Sequence, residues 1–409
     1  MSANAYNELK TKIDSLAVFR HVREDAAVAA LRKLLEERSV AAYSDFISLL
    51  YPEGANYSEY IRKLVLEDDN FYVKAVAAGQ KIDPEIAAAV KSELNTICEI
   101  AGVTSAEIRQ MVLDSDSPES SLALPKWKTT DLNLVKDFTQ KPSNIAQTGY
   151  GIYAKYTFFR VEDGQIVPVA HPDVQSIDQL FEYKRERDLV IRNTEALLSG
   201  SGASNMLLYG DMGTGKSSTI KAVAAAYADQ GLRLIEMKKE QLFQIPSVME
   251  EIAANPLKFI IFIDDLSFAG NDDNFSALKA TLEGSITGCT GNSVIYATSN
   301  RRHLVRESAS DRVSGAGFDD DLHLNDTMQE TMSLAARFGL TITFSKPGKD
   351  EYLSIVRSLA DEYGVAVGDG EDEIPEEELM KRAEAFAIRR NGRSPRTARQ
   401  FIELLKIGL

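Results

Sequence analysis

The chain of 409 residues has room for two or three domains, and its 44% hydrophobic and 26% charged content is that of a soluble globular protein. A net charge of −15, with acids in excess in both halves, gives bulk electrostatics no support for non-specific nucleic-acid binding. No apolar run is long enough to span a bilayer, the N-terminus lacks a signal-peptide core, and Cys98 and Cys289 show no ligand spacing. A cytoplasmic setting without membrane, zinc site or disulfide framework is therefore expected.

Residues 1–113 are dense in Ala, Leu, Glu, Lys and Arg at helical spacing: Leu9, Ile13 and Leu16 share one face, as do Val28, Leu31 and Leu35. Turn residues at 51–54, 81–84 and 102–105 divide the run, and Asp83-Pro84 and Thr104 read as helix starts. The pattern predicts an all-helical N-terminal domain with no catalytic constellation, suited to packing or to docking a protein partner. His21 within it has no ligand spacing. Residues 114–174 read as a linker and β-hairpin segment. The polar run 114–121 is the linker, and no clear period emerges before Tyr150. Then 151–160 is rich in aromatic and β-branched residues, Asp163-Gly164 is a turn, and 165–169 returns, with Pro168 favouring an edge. The aromatics suit a core face or a base-stacking surface, and only Lys155 and Arg160 are interleaved with them.

Residues 177–198 read as a helix, broken by Gly200-Ser201-Gly202. An apolar run from Met206 to Tyr209 then ends at a glycine, and Gly210-Asp211-Met212-Gly213-Thr214-Gly215-Lys216-Ser217 fits G-x-x-x-x-G-K-[ST], with Ser218 opening a helix. In a strand–loop–helix context, main-chain N–H groups close around a β-phosphate, Lys216 reaches the β- and γ-phosphates, and the Ser217 hydroxyl ligates Mg²⁺. Four more strands are predicted at 232–237, 259–264, 294–298 and 340–344, with helical stretches between them. Residues 175–346 thus read as an α/β core with a parallel five-stranded sheet. Asp264 and Asp265 close a continuous apolar run, where a carboxylate holds Mg²⁺ (Asp264) and a second orients or deprotonates an attacking water (Asp265). Residues 347–409 hold three helical pieces, a small C-terminal lid.

On these residues the chain from Ile177 to Leu409 resembles an AAA+ ATPase. Its layout is similar to the bacterial replication initiator and helicase-loader branch, and most like a bacterial AAA+ family labelled only as a domain of unknown function. The resemblance covers a little over half the chain. It implies ATP and Mg²⁺, a homo-oligomer, and hydrolysis at a subunit interface that remodels or loads a protein, or protein–nucleic acid, partner. It carries sensor 1 onto Ala297-Thr298-Ser299-Asn300, with Asn300 touching the γ-phosphate or attacking water. It carries the arginine finger onto 334–340, with Arg337 reaching the ATP of a neighbouring subunit, and sensor 2 onto 392–399, with Arg396 as the matching arginine. Leu180-Phe181-Glu182-Tyr183 sits where this class recognises adenine, through Phe181 and Tyr183.

One residue departs from the common AAA+ pattern: the second acid is Asp265 rather than Glu, as in the initiator branch. Its carboxylate sits about an ångström further back, and misplacement on that scale can cost about 10²-fold in rate. Slow turnover is expected, and a second reading stays open, an ATP-dependent oligomerisation switch with little hydrolysis. A small-molecule kinase on the same loop lacks an evident acceptor lid. The acidic stretch 306–330 is longer than a sheet connection requires and reads as a solvated loop or partner contact. Arg301 and Arg302 read as solvated or interfacial, and His303 and His323 lack metal spacing. The arginines at 389, 390, 393, 396 and 399 face phosphate or close a salt network.

Overall fold

The computed structural model describes residues 3–116, 123–267, 273–282, 291–300, 336–368, 370, 373–390 and 392–408. Cys289, Arg301, Arg302, His303, His323 and the acidic stretch 306–330 lie outside the described residues. The chain divides into two compact units, Met1–Lys155 with Ala254–Pro256, and the remainder from Tyr156 to Leu409.

The first unit is helical: α1 (Ala3–Asp14), α2 (Arg20–Glu24), α3 (Ala26–Glu37), α4 (Val40–Leu50), α5 (Tyr57–Glu67), α6 (Phe71–Ala77), α7 (Pro84–Ala101), α8 (Ser105–Asp116), α9 (Leu134–Thr148) and α10 (Ile152–Lys155). Polar residues stand at the helix starts because the first N–H groups of a helix have no partner within it. Asp25 accepts from Ala27 and Val28, Ser39 from Ala42, Asn56 from Glu59, Asn70 from Val73, and Asp83 from Glu85 with Pro84 at the first turn. Thr104 and Glu107 exchange bonds as a capping box at the start of α8. Leu9, Ile13, Leu16, Val28, Leu31 and Leu35 are all buried in one core. The stretch that carries no period in sequence is anchored in that core by Trp127, which packs on Tyr43 and Phe46 and donates its indole N–H to the Val103 carbonyl at 2.9 Å.

The second unit is built on a sheet of β1 (Phe158–Glu162), β2 (Gln165–Pro168), β3 (Met206–Gly210), β4 (Leu232–Met237), β5 (Lys258–Ile263), β6 (Ser293–Ser299) and β7 (Leu340–Phe344). Their order is β2-β1-β4-β5-β6-β3-β7. The sheet therefore has seven strands where five are predicted. The hairpin is part of it: β1 pairs parallel with β4 at Phe159↔Ile235, and only β2, on the edge, runs antiparallel. The physical reason is Phe158, Phe159 and Val161, buried side chains that a free-standing hairpin would leave in water. The first strand is also shorter than the aromatic run, since 152–155 is helical.

β5 and β6 are buried along almost their whole length, as strands covered on both faces must be. The helices of this unit's first part are α11 (Lys184–Ser199), α12 (Lys216–Ala226), α13 (Ile245–Ile252) and α14 (Asp273–Leu282). Val190, Ile220 and Val223 from α11 and α12 join Leu208, Ile260, Phe262 and Tyr296 in a core beneath the loop after β3. A smaller core gathers α15 (Lys349–Tyr363), α16 (Glu376–Arg389) and α17 (Pro395–Lys406) around Tyr352, Leu379 and Ile402. Among the described residues no helix is long and apolar enough to cross a membrane.

Candidate functional site

β3 lies between β6 and the edge strand β7, and its C-terminal end opens on the same rim of the sheet as those of the parallel β5 and β6. Gly210 ends it at φ +138°, with the Phe344 carbonyl 2.0 Å from where a Cβ would stand, so no other residue fits. The loop then turns into α12, whose first main-chain bond runs from the Thr219 N–H to the Gly215 carbonyl at 2.8 Å. The N–H groups of Lys216, Ser217 and Ser218 therefore point ahead of the helix, where its dipole is positive. Gly213 lies against the start of α17: a Cβ there would come within 3.1 Å of Arg396 Cβ and Ser394 Oγ.

Lys216 reaches back over this loop. Its ammonium donates to the carbonyls of Gly210 (2.9 Å) and Asp211 (2.7 Å) and to Asn300 Oδ1 (3.0 Å). Burial pulls its pKa down to about 8, opposed by Asp211, Asp264 and Asp265 and assisted by the nearby Arg396. A buried cation held by carbonyl dipoles is one that a triphosphate can take over.

Strand register explains the acid cluster. β5 and β6 pair at Ile263↔Ala297, which brings Asp264 beside Thr298. Asp264 Oδ1 accepts from Ser217 Oγ (2.6 Å), Thr298 Oγ1 (2.6 Å) and the Asp265 N–H (3.1 Å). With Oδ1 taken by three donors, the other oxygen has no protein donor among the described residues. Asp265 sits at φ +51°, left-handed for a non-glycine residue, and its carboxylate accepts from Asn300 Nδ2 at 2.7 Å. Asn300 thus bridges Lys216 and Asp265, an amide orientation assigned from the two partners it faces.

These groups line one cavity of 460 Å³, within the range of about 300–1,000 Å³ of small-molecule sites. Met212, Gly213, Thr214, Gly215, Lys216, Ser217 and Ser218 line it, with Asp264, Asp265, Asn300 and Arg396. Phe181 and Tyr183 line its apolar end beside Leu180, Ile355 and Leu359. Gly210 and Asp211 meet the site through their carbonyls, and Arg337, half-buried and helical three residues before β7, is not in the lining. Sequence reasoning missed Arg187 and Gln175 and gave Thr298 no role of its own within the sensor-1 stretch, whereas Arg399 stood among the arginines read as facing phosphate or closing a salt network. Arg399 lies three residues beyond Arg396, a helical spacing that marks a shared face. Thr298 becomes visible only through the register of β5 on β6, and nothing local marks Gln175, whose carboxamide lies against the Arg399 guanidinium.

The donor set suits phosphate and a hard cation: main-chain N–H groups, an ammonium and a guanidinium for the anion, a hydroxyl and a carboxylate for Mg²⁺. Residues 153–408 match a family model described as "Protein of unknown function (DUF815)". No curated protein matches the sequence. Among solved structures, Thermotoga maritima RuvB, titled a Holliday junction branch migration motor, matches at 16% identity and a TM-score of 0.32, covering 57% of this chain and 72% of that one. A substituted form of the same RuvB matches at 17% identity with the same TM-score and coverage.

Proposed function

This chain belongs to the DUF815 family, and from that premise we propose that it is an AAA+ ATPase, which binds ATP with Mg²⁺ in the cavity at the end of β3. The observation that carries the reading is the convergence of Lys216, Ser217, Asp264 and Asn300 on one loop. ATP lays its β- and γ-phosphates along the N–H groups ahead of α12, displacing the Lys216 ammonium from the Gly210 and Asp211 carbonyls. Ser217 and Asp264 hold Mg²⁺, which when bound neutralises charge on the transferring phosphoryl group. Asp265 accepts the proton of the attacking water, Asn300 orients that water, and Arg396 faces the phosphates from α17. Phe181 and Tyr183 receive the adenine.

Arg337 acts on the ATP of a neighbouring copy, so hydrolysis needs a homo-oligomer; its absence from the lining of the chain's own cavity is in keeping with this role. The helical N-terminal unit recruits the protein partner, in the cytoplasm, whether to remodel or to load it in the manner of the initiator and helicase-loader branch. The short, left-handed Asp265, already engaged by Asn300, favours a slow enzyme and keeps the second reading, an oligomerisation switch, in play.

Steady-state phosphate release against protein concentration tests both. Activity per subunit that rises with concentration, is lost in Lys216→Ala together with ATP binding, and is lost in Arg337→Ala with ATP binding retained supports the interface enzyme. ATP-dependent growth of the oligomer with no phosphate release supports the switch. Hydrolysis by Arg337→Ala equal to that of the parent at high concentration removes the shared site.

A further inference from the structure

The apolar end of the cavity is made by a strained turn. Glu182 (φ +58°) and Tyr183 (φ +52°) are consecutive non-glycine residues in the left-handed region. Neither conformation is favoured by its own side chain, so something outside the turn must hold both. Arg187, one turn into α11, does so: its Nη1 donates to the Leu180 carbonyl at 2.6 Å and to the Glu182 carbonyl at 2.7 Å. Burial lowers its pKa, yet a guanidinium stays charged at any working pH, so the two bonds persist. Tyr183 is fixed from the far side, its ring stacked on Phe344 at 5.3 Å and its hydroxyl donating to the Ser345 carbonyl at 2.6 Å.

The same turn is tied to the helical lid. Ser354 Oγ on α15 donates to the Glu182 carboxylate at 2.8 Å, and Gln179 donates to Glu362 on the same helix at 2.8 Å. Leu180, Phe181, Ile355 and Leu359 then form the apolar wall that these bonds bring together.

We propose that Arg187 is a positioning residue for the nucleotide base: it holds the 180–183 turn in its bound form before any ligand arrives, and so decides how much a base adds to the affinity for the phosphates. This rests on the ATP reading of the cavity. The phosphate half of the site, built on α12 and the β5 and β6 strand ends, owes nothing to Arg187 in its hydrogen bonding. Loss of the clamp therefore weakens base recognition and spares phosphate recognition.

The test compares the full chain with Arg187→Met, which keeps an apolar stem without donors, and Arg187→Lys, which keeps the charge and serves if the Met variant does not fold. Binding of Mg²⁺–ATP and Mg²⁺–tripolyphosphate is measured by calorimetry. The expected result is an ATP affinity lower by about tenfold or more, the cost of ordering a turn that is no longer preformed, with tripolyphosphate affinity unchanged. The preference for ATP over tripolyphosphate shrinks accordingly, less in the Lys variant than in the Met variant. A parallel fall for both ligands, or an unchanged ATP affinity, overturns the assignment. A parent protein that binds tripolyphosphate as tightly as ATP overturns it too while leaving the phosphate site standing. A parent that binds neither overturns the ATP reading itself.

Discussion

The two units use polar side chains in opposite ways. In the helical unit many stand at helix ends, as with Asp25, Ser39, Asn56, Asn70 and Asp83, each accepting from N–H groups of its own first turn. In the sheet unit they converge, and Lys216, Ser217, Asp264, Thr298 and Asn300 form one connected network at the sheet's open end. A cap answers a need created by its own helix. A network drawn from two strands and a helix answers nothing local, which is why it points to a ligand.

Three changes test that contrast. Phe46, fully buried against Trp127 and Tyr57, carries the largest expected effect. Phe46→Ala should cost the helical unit about 3–5 kcal/mol, seen as a lowered helical unfolding transition, with ATP affinity unaffected. A matching loss of nucleotide binding would break the contrast. Thr298→Val comes next: it removes the donor to Asp264 and the acceptor for the Asp265 N–H without changing side-chain size much. Losing two hydrogen bonds, one of them to a carboxylate, should cost about 1–3 kcal/mol in urea unfolding, and Mg²⁺-dependent ATP affinity should fall about tenfold, with Thr298→Ser restoring it. A Mg²⁺-dependent ATP affinity of Thr298→Val equal to the parent's would remove Thr298 from the site.

The smallest effect belongs to His21, whose ring Nδ1 meets the buried Asp68 carboxylate at 3.0 Å. The hydrogen bond to Asp68 raises its pKa above 6.5 against the opposing pull of burial. A raised folded value means the added stability is complete below pH 6.5 and is lost as pH rises through the folded pKa. The ring is largely exposed, so solvent screening keeps the gain to about 1 kcal/mol or less. His21→Ala should flatten that part of the pH profile of thermal unfolding, and an unchanged profile would assign the slope to another group.

Much of this was readable from residue order. The phosphate loop, the acid pair at the end of β5 and the apolar faces of α1 and α3 are local patterns, each set by a spacing that one strand or helix imposes. What escaped is what only pairing creates. The seven-strand count needed the knowledge that Phe159 would meet Ile235, the role of Thr298 needed the register of β6 on β5, and Arg187 needed two residues with positive φ that no glycine announces. Residues 124–150 carry their signal in one tryptophan whose ring partners lie some seventy to eighty residues upstream in the chain, a non-local pairing that no local pattern announces.

The hairpin that swelled the strand count also finishes the sheet. β2 is four residues long, ends in Pro168 and is joined to β1 by the tight Asp163-Gly164 turn, so the outermost row offers a short ladder that lacks an amide hydrogen at its last rung. Copies of this chain crowded together have no long template here on which to zip strand against strand. Whatever brings them side by side must use faces other than this margin, and the fold stays safe from fibre-like growth along it.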